Sequence, residues 1–289
     1  MSDDRNVDAL SGIETTAHEW DGIKELNNPL PRWWLWVFYA CVVYAVGYWI
    51  AYPAWPMFAG YTKGVLGYSQ RQVVNTDLAA GKAAQAKYVA AIAAAGLNDL
   101  RKDPELLRFA LAGGRAAFAN NCAQCHGRGA EGKPGYPNLN DDDWLWGGTL
   151  DDILTTVTVG IRSTSPKTRQ NQMPRFGLDK LLDPAQINDA AEFVLSLSNR
   201  ATDPDAAKRG KQLFADNCVA CHGDLAKGKQ DLGAPDLTDA IWLYGGGKEE
   251  IIKSIQTGRG GVMPSWETRL DPATIKQLAL YVHELGGGK

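Results

Sequence analysis

The sequence predicts an all-α protein in which one N-terminal transmembrane helix is followed by two tandem copies of a small helical domain. Two observations lead to this fold class: an uncharged apolar interval near the N-terminus, and a five-residue motif that occurs twice, 96 positions apart. The 289 residues, 45% of them hydrophobic, suffice for one span and two domains of about 90 residues each. The predicted segments are an N-terminal segment (1–32), a transmembrane anchor (33–58), a helical connector (59–107) and two domains (108–200 and 201–289).

The transmembrane prediction rests on residues 33–62, which lie between Arg32 and Lys63 and contain no charged side chain. As a helix, residues 33–52 would reach about 30 Å, the thickness of the hydrocarbon core of a membrane. Tryptophan and tyrosine cluster at both ends of this stretch, as they do at membrane interfaces. The preceding 32 residues hold seven acidic and three basic side chains, unlike a signal peptide, so the helix is expected to persist as an anchor.

Outside the repeats, the remaining features are assigned structural roles. Residues 59–107 are alanine-rich, and strong helix formers over 78–97 predict one or two helices in this connector. Cys41 lies inside the span, where a small apolar packing role is expected. His18 and His283 are expected to be surface histidines rather than ligands.

The repeated motif is Cys-x-x-Cys-His. Two cysteines at this spacing can form thioethers to both vinyl groups of a porphyrin, and the adjacent histidine then becomes the proximal ligand of the iron. A redox dithiol or half of a zinc site also uses Cys-x-x-Cys, but neither predicts the histidine twice. We therefore predict two covalently bound haem c groups, with iron as the metal. The attachment and proximal residues are Cys122, Cys125 and His126 in the first copy, and Cys218, Cys221 and His222 in the second.

Each iron needs a second axial ligand, and the sequence offers one methionine per repeat. Met173 lies 47 residues after His126, and Met263 lies 41 residues after His222. Methionine is often a flexible core filler, but both of these precede proline in polar or glycine-rich loops. We predict that each methionine completes the iron site of its own repeat. A thioether ligand raises the reduction potential, so both haems are predicted to be high-potential electron carriers.

The repeat extends well beyond the motif. The two copies differ by an insertion at 162–169, which only the first copy contains. It is predicted to be a solvated loop, with contact to a partner as the alternative. The shared features are Gly114 and Phe118 with Gly210 and Phe214, the stretches 144–148 and 242–246, glycines 160 and 258 after a short helical pattern, and the Leu-Asp-Pro sequences that begin at 182 and 270.

On these residues the second half of the chain resembles class I cytochromes c. The resemblance implies that the carbonyl of Pro137 orients His126 and that the carbonyl of Pro235 orients His222. It also implies that the first and last helices of each domain cross through a glycine and an aromatic pair. The expected contacts are Gly114 and Phe118 with Phe193, and Gly210 and Phe214 with Tyr281.

The complete layout resembles the di-haem subunit III, the P-type subunit (CcoP/FixP), of bacterial cbb3-type cytochrome c oxidases. Its most specific segment is 28–34, Asn-Pro-Leu-Pro-Arg-Trp-Trp, at the start of the span. The resemblance implies a non-catalytic subunit of an aerobic respiratory oxidase with proton transport. Electrons would come from a donor cytochrome c and pass through a mono-haem c subunit to the catalytic haem-copper subunit.

The resemblance also implies a location. Basic residues are balanced on the two sides of the span, so the positive-inside rule does not orient it. Because c-type haem is attached on the periplasmic face, the expected topology is single-pass in the bacterial cell inner membrane, with a cytoplasmic N-terminus and periplasmic haem domains.

Other functions remain open at this point. A di-haem carrier that serves a periplasmic dehydrogenase or a nitrogen-oxide reductase is the alternative, and a haem-based sensor would need an open iron position. The sequence shows no nucleophile triad or phosphate loop, hence no catalytic residues, and no basic stripe for nucleic acid at a net charge of −3. The acidic residues at 141–143 and 151–152 either steer a basic donor or cap helices on a solvated face.

Overall fold

The computed structural model describes residues 7–287, which form helices joined by loops and two short hairpins near the N-terminus. The chain divides into two compact units between Ala83 and Ala84. The helices are α1 (Arg32–Ala51), α2 (Gln70–Ala94), α3 (Leu97–Lys102), α4 (Pro104–Asn121), α5 (Ala123–His126), α6 (Leu150–Val159), α7 (Pro184–Ser196), α8 (Pro204–Asn217), α9 (Val219–His222), α10 (Lys248–Thr257) and α11 (Pro272–His283). Antiparallel strands β1 (Thr15–Trp20) and β2 (Ile23–Leu26) form one hairpin, and β3 (Pro56–Met57) and β4 (Gly60–Tyr61) form the other. The predicted all-α class is confirmed.

The first unit is built around α1. None of its residues is buried, and among the described residues it is the one helix long and apolar enough to cross a membrane. The backbone N–H groups of Val65 and Leu66 donate to the carbonyls of Ile50 and Ala51, at 2.9 and 3.1 Å. These bonds satisfy carbonyls that the end of a helix otherwise leaves without partners.

The hairpin β1–β2 was not predicted, although the sequence carries its signal. Asp21 and Gly22 connect the strands with φ angles of 50° and 88°. Positive φ at both central residues is typical of the tight turns that favour Asp-Gly. The two strands are short and β2 is exposed throughout, so the segment shows no alternation of apolar and polar residues that would have indicated strands.

The connector helix α2 covers the predicted helical stretch from residue 78 to Ala94, and Leu97 then begins α3 after Gly96. The C-terminal end of α2 packs within the second unit, where Ile92 is fully buried. The ammonium group of Lys276 on α11 donates to the carbonyls of Ile92, Ala93 and Ala95, at 3.2, 2.7 and 2.7 Å. A cation at the C-terminus of a helix satisfies its last carbonyls and complements the helix dipole, so this end of α2 is held firmly.

Four helices of the second unit begin in the same way, with aspartate at the N-cap and proline at the first helical position. The aspartate side chain accepts hydrogen bonds from the first backbone N–H groups, and proline loses nothing there because its missing N–H would be unpaired. The two starts predicted from the sequence are confirmed. The caps are Asp103 for α4, Asp183 for α7, Asp203 for α8 and Asp271 for α11.

The second unit contains two helical bodies, and each body draws on both sequence repeats. In the first body, α4, α5 and α6 pack with α11 from the end of the chain. In the second body, α8, α9 and α10 pack with α7, which belongs to the first repeat. The repeats therefore exchange their last helices.

This exchange makes the predicted aromatic contacts wrong. Phe118 pairs with Tyr281 at a ring separation of 5.5 Å, and Phe214 pairs with Phe193 at 5.1 Å. The glycines act as expected but against the other partner. A Cβ on Gly114 would meet the backbone carbonyl of Gln277 on α11. The glycine and aromatic contacts that the resemblance implies are present, but in each body the last helix comes from the other repeat.

The exchange takes place where two loops cross. Ile161 and Met263 exchange two backbone hydrogen bonds, at 2.9 and 3.0 Å, and the Met173 N–H donates to the Arg259 carbonyl at 2.9 Å. Gly160 closes α6 with φ at 70° and leaves no room for a Cβ beside Met263. Each loop thus leaves its own body after a short helix and enters the other.

The insertion at 162–169 is part of this crossing, and the prediction of a solvated loop is wrong for Ser165 and Thr168, although Thr164, Pro166 and Lys167 are exposed. Ser165 and Thr168 are each 7% exposed. The Ser165 hydroxyl donates to the Glu267 carboxylate at 2.6 Å, and Arg162 Nε donates to the Gly261 carbonyl at 2.6 Å. The insertion packs against the loop of the second repeat that contains Met263. Its additional residues make the contacts that hold the two loops where they cross.

Candidate haem-binding sites

Each Cys-x-x-Cys-His motif folds into a single helical turn at the end of a longer helix. Cys122 terminates α4, and the backbone N–H of His126 donates back to the Cys122 carbonyl at 3.0 Å. The second motif repeats this bond from His222 to Cys218 at 2.9 Å. One turn therefore presents two thiols and an imidazole on adjacent positions, as covalent haem attachment requires.

A proline carbonyl holds each imidazole. His126 Nδ1 lies 3.0 Å from the Pro137 carbonyl, and His222 Nδ1 lies 3.1 Å from the Pro235 carbonyl. Since a carbonyl only accepts hydrogen bonds, Nδ1 carries the proton and the lone pair is on Nε2. Burial lowers the pKa of both histidines, and the proline hydrogen bond only partly opposes this. The rings are therefore neutral and present a coordinating nitrogen.

The four thiols of the motifs are free and half-buried. Burial, followed by the nearby Cys125, raises the pKa of the Cys122 thiol to about 11. Burial and Cys221 do the same for Cys218, also to about 11. A raised pKa keeps the Cys122 and Cys218 thiols protonated, and a protonated thiol is a poor ligand for a bare metal ion.

Both motifs line one continuous cavity of about 870 Å³. Its walls carry the two imidazoles, the four thiols and the two candidate methionine thioethers, among mostly apolar side chains. Within residues 7–287, no group of three or more His, Cys, Asp or Glu side chains is arranged to hold a bare metal ion. The donor set fits haem attached by thioethers. The apolar lining includes Trp146, Phe176, Val194, Phe214, Ile255 and Trp266.

The structure places each methionine in the body of the other repeat. Met263 packs on the core cluster of the first body, together with Phe118 and Cys122. Met173 packs on the core cluster of the second body, together with Phe214 and Cys218. This packing differs from the expectation that each methionine serves its own repeat, and which methionine binds which iron stays a prediction. Sequence spacing carried no signal of this, since either pairing gives one methionine per site.

Sequence reasoning missed two arginines beside the cavity. Arg259 lies over the ring of Tyr244 at 4.2 Å, and Arg169 lies over the ring of Trp146 at 5.2 Å. The signal was available: each arginine precedes its methionine by four residues. The aromatic rings belong to the repeated stretches 144–148 and 242–246.

The structure corrects the expectations for one histidine and for an acidic segment. His283 is 6% exposed, so its prediction as a surface histidine is wrong, whereas His18 is exposed. Asp143 lines the cavity, and burial, followed by Asp239, Asp141 and Asp236, raises its pKa to about 6. The acidic segment at 141–143 is therefore more than a solvated helix-capping face.

An apolar N-terminal helix and two histidine-bearing attachment turns on one cavity are the features of a membrane-anchored di-haem cytochrome c. Family models agree along the chain: the N-terminal domain of cytochrome oxidase-cbb3, FixP, matches residues 12–59; cytochrome c matches 111–198; and cytochrome c oxidase, cbb3-type, subunit III matches 205–282. The chain belongs to the FixP/CcoP family of cbb3-type cytochrome c oxidase subunits.

Full-length relatives support this membership. The chain is 55% identical over 291 residues to a cbb3-type cytochrome c oxidase subunit FixP of Bradyrhizobium sp. (strain ORS 278), with 100% of both chains covered. It is 53% identical to a CcoP subunit of Azospirillum brasilense over 99% of both chains. It is 51% identical to a FixP subunit of Rhizobium meliloti (strain 1021), over 99% of this chain and 98% of the relative. The predicted family and the two haem c groups are confirmed; the segment boundaries and ligand residues stay predictions.

Proposed function

We propose that this chain is the electron-transfer subunit of a cbb3-type cytochrome c oxidase and passes electrons from a donor cytochrome c toward the oxygen-reducing subunit. One observation carries the proposal. Two attachment turns, each with its imidazole fixed by a proline carbonyl, line a single cavity in a chain that aligns end to end with oxidase subunits. The alternative of a dehydrogenase or reductase partner has no comparable support.

The ligand residues follow the exchanged packing. We assign His126 and Met263 to the iron attached at Cys122 and Cys125, and His222 and Met173 to the iron attached at Cys218 and Cys221. Bound haem iron supplies a one-electron couple, whose potential a methionine ligand raises. The metal ligands are the residues predicted from the sequence, and only their pairing differs.

The surrounding residues orient these ligands and exclude water. The carbonyls of Pro137 and Pro235 hold the imidazole rings and make Nε2 a stronger donor. Phe118 and Phe214, 1% and 3% exposed, close the core beside the attachment turns. A dry, rigid setting of this kind also tunes the potential of a haem.

The proposed location places α1 across the bacterial inner membrane once, with the N-terminus in the cytoplasm and both haem bodies in the periplasm. Support comes from the length and full exposure of α1 and from the family. The proposed partners are the catalytic haem-copper subunit, a mono-haem c subunit and a donor cytochrome c. The chain itself supplies no catalytic residue.

Affinity purification tests the proposal. A C-terminally tagged chain should recover from membranes a complex that contains b-type haem and copper and that consumes oxygen with reduced cytochrome c. Replacement of both Cys122 and Cys125 by alanine should remove one haem and most of this oxygen uptake. Cys41→Ala is the matched control, because Cys41 belongs to no attachment motif, and it should change neither. Recovery of the di-haem chain alone, or with a dehydrogenase, would overturn the proposal.

A further inference from the structure

Two guanidinium groups line the haem cavity without an acidic partner. Arg162 and Arg259 come from the two crossing loops, and both are half-buried. Within residues 7–287, no carboxylate forms an ion pair with either side chain. A buried or half-buried charge is costly unless an opposite charge approaches it, so this pair calls for an anion.

Neutral groups hold both side chains in place. Arg162 Nε donates to the Gly261 carbonyl at 2.6 Å, and its Nη1 donates to the Asn171 carbonyl. Arg259 Nε donates to the Ser254 hydroxyl at 3.0 Å, while its guanidinium lies over Tyr244. Burial lowers the pKa of Arg162, and Tyr244 only partly opposes this. Hydrogen bonds to neutral groups therefore fix the positions of both guanidinium groups, but no negative charge among the described residues compensates them.

The first repeat offers an internal comparison. Arg169 occupies the position of Arg259, four residues before the methionine and over an aromatic ring. Its Nη2, however, lies 3.7 Å from the carboxylate of Asp152. The chain thus neutralises this arginine with its own acid and leaves Arg259 and Arg162 for an anion from elsewhere.

The location identifies that anion. Asn171 Nδ2 donates to the Leu232 carbonyl in the loop of the second motif, and Tyr244 belongs to the same repeat. Haem c carries two propionates that no thioether uses, and a guanidinium binds a carboxylate through two parallel hydrogen bonds. We infer that Arg162 and Arg259 form a carboxylate-binding pair that holds a propionate of the haem attached at Cys218 and Cys221. This inference rests on the two covalent haems and holds whichever protein receives the electrons.

The consequence is electrostatic. Positive charge beside a haem favours the ferrous form, so removal of either guanidinium should lower the reduction potential of the second haem alone. The released propionate can then take up a proton. Asp143, with a pKa of about 6, lines the same cavity together with Asp141, Asp236 and Glu131, so the wild-type potential also varies with pH and the variants should show a steeper dependence.

Spectroelectrochemical titration of the detergent-solubilised di-haem chain measures both effects. Arg162→Gln and Arg259→Gln should each raise the oxidised-to-reduced ratio of the same haem about tenfold at a given potential, equivalent to about 59 mV for one electron. Arg259→Lys keeps the positive charge and should lower the reduction potential of this haem less than Arg259→Gln does. Arg175→Gln is the matched control, because Arg175 is exposed, pairs with Asp179 at 2.7 Å and does not line the cavity.

Haem content and thermal unfolding of each variant show whether it is folded. Unchanged midpoints in both glutamine variants, equal shifts of both haems, or equal effects of lysine and glutamine would overturn the inference. A wild-type midpoint that moves with added inorganic phosphate, and does not move in the variants, would point to a free anion and overturn it as well. None of these results would affect assembly with an oxidase, so the two proposals fail separately.

Discussion

His126 and His222 are the residues through which we propose that the polypeptide binds its two irons. Their Nδ1 atoms are fixed by proline carbonyls at 3.0 and 3.1 Å, which leaves Nε2 as the coordinating atom. The proposed methionine pairing follows from packing, because Met263 joins the core around Cys122 and Met173 joins the core around Cys218. The candidate ligands can therefore be named from local sequence, whereas their pairing depends on the fold.

Paired substitutions test this pairing. In His126→Ala with Met263→Ala, both changes affect one haem, so about half of the methionine-to-iron absorption of the oxidised protein should remain, given one methionine ligand per haem. In His126→Ala with Met173→Ala, each haem loses a ligand and the absorption should vanish. The two variants remove the same kinds of side chain and so control for each other. The opposite result would show that each repeat uses its own methionine.

At the scale of elements, α7 is tied to the second repeat by Glu192. This carboxylate is fully buried and accepts hydrogen bonds from the Thr202 hydroxyl at 2.6 Å and from the Thr202 and Asp203 N–H groups at 2.7 and 3.1 Å. Its Oε1 also lies 2.7 Å from Nζ of Lys248, the first residue of α10. One side chain therefore joins the exchanged helix α7 to the start of α8 and to α10.

We expect Glu192→Gln to lower the free energy of unfolding by about 2 kcal/mol at pH 7, because the buried amide presents an NH2 group to the N–H and O–H donors of Thr202 and Asp203, which a carboxylate oxygen now satisfies. Burial acts to raise the pKa of Glu192, but the hydrogen bonds from Lys248, Thr202 and Asp203 outweigh it and lower the pKa to about 2. Its contribution is therefore complete above the ordinary carboxyl pKa of about 4.3 and is lost as the pH falls toward 2.

Chemical denaturation of the solubilised chain between pH 7 and pH 2.5, approximately this window, measures the effect. Lys208→Gln is the control, since Lys208 and Asp205 form an exposed, solvent-screened pair whose loss should leave the stability nearly unchanged. If Glu192→Gln unfolded at the wild-type denaturant concentration, or kept the wild-type loss of stability in acid, the role given to Glu192 would be wrong.

At the scale of the whole molecule, the two repeats are separate in sequence but not in packing. The first body needs α11 and Met263 from the end of the chain, and the second body needs Met173 and α7 from the first repeat. The hydrogen bonds between Ile161 and Met263 lie at the crossing. The cytochrome region should therefore fold as one cooperative unit rather than as two independent domains.

Expression of the repeats as separate chains tests this dependence. Residues 108–200 alone and 201–289 alone should each fail to give a stable haem with methionine ligation, because each lacks the methionine and the last helix of its body. Coexpression of the two pieces should restore that ligation, as seen in absorption spectra. A stable histidine-methionine spectrum from either piece alone would show that a repeat can close on itself.

Much of this architecture was predictable because its signals are local. Asp183 followed by Pro184 indicates a helix start wherever it occurs, and the absence of charge after Arg32 indicates a span without knowledge of any contact. The turn at Asp21 and Gly22 was equally local and was overlooked. The buried residues Ser165 and Thr168 were not predictable, because a polar loop looks the same whether it meets water or another loop.

The sequence by itself determined the apolar N-terminal helix and the two haem attachment turns, since thioether chemistry and helix capping depend on residues a few positions apart; the iron ligands that it names stay predictions. Only the tertiary structure decided that Phe118 meets Tyr281 and that Met263 lies with the first motif. The physical reason is the likeness of the repeats. Two nearly equivalent helix-crossing surfaces accept either partner, so the outcome depends on the loops after Gly160 and Gly258, which cross and bond to each other.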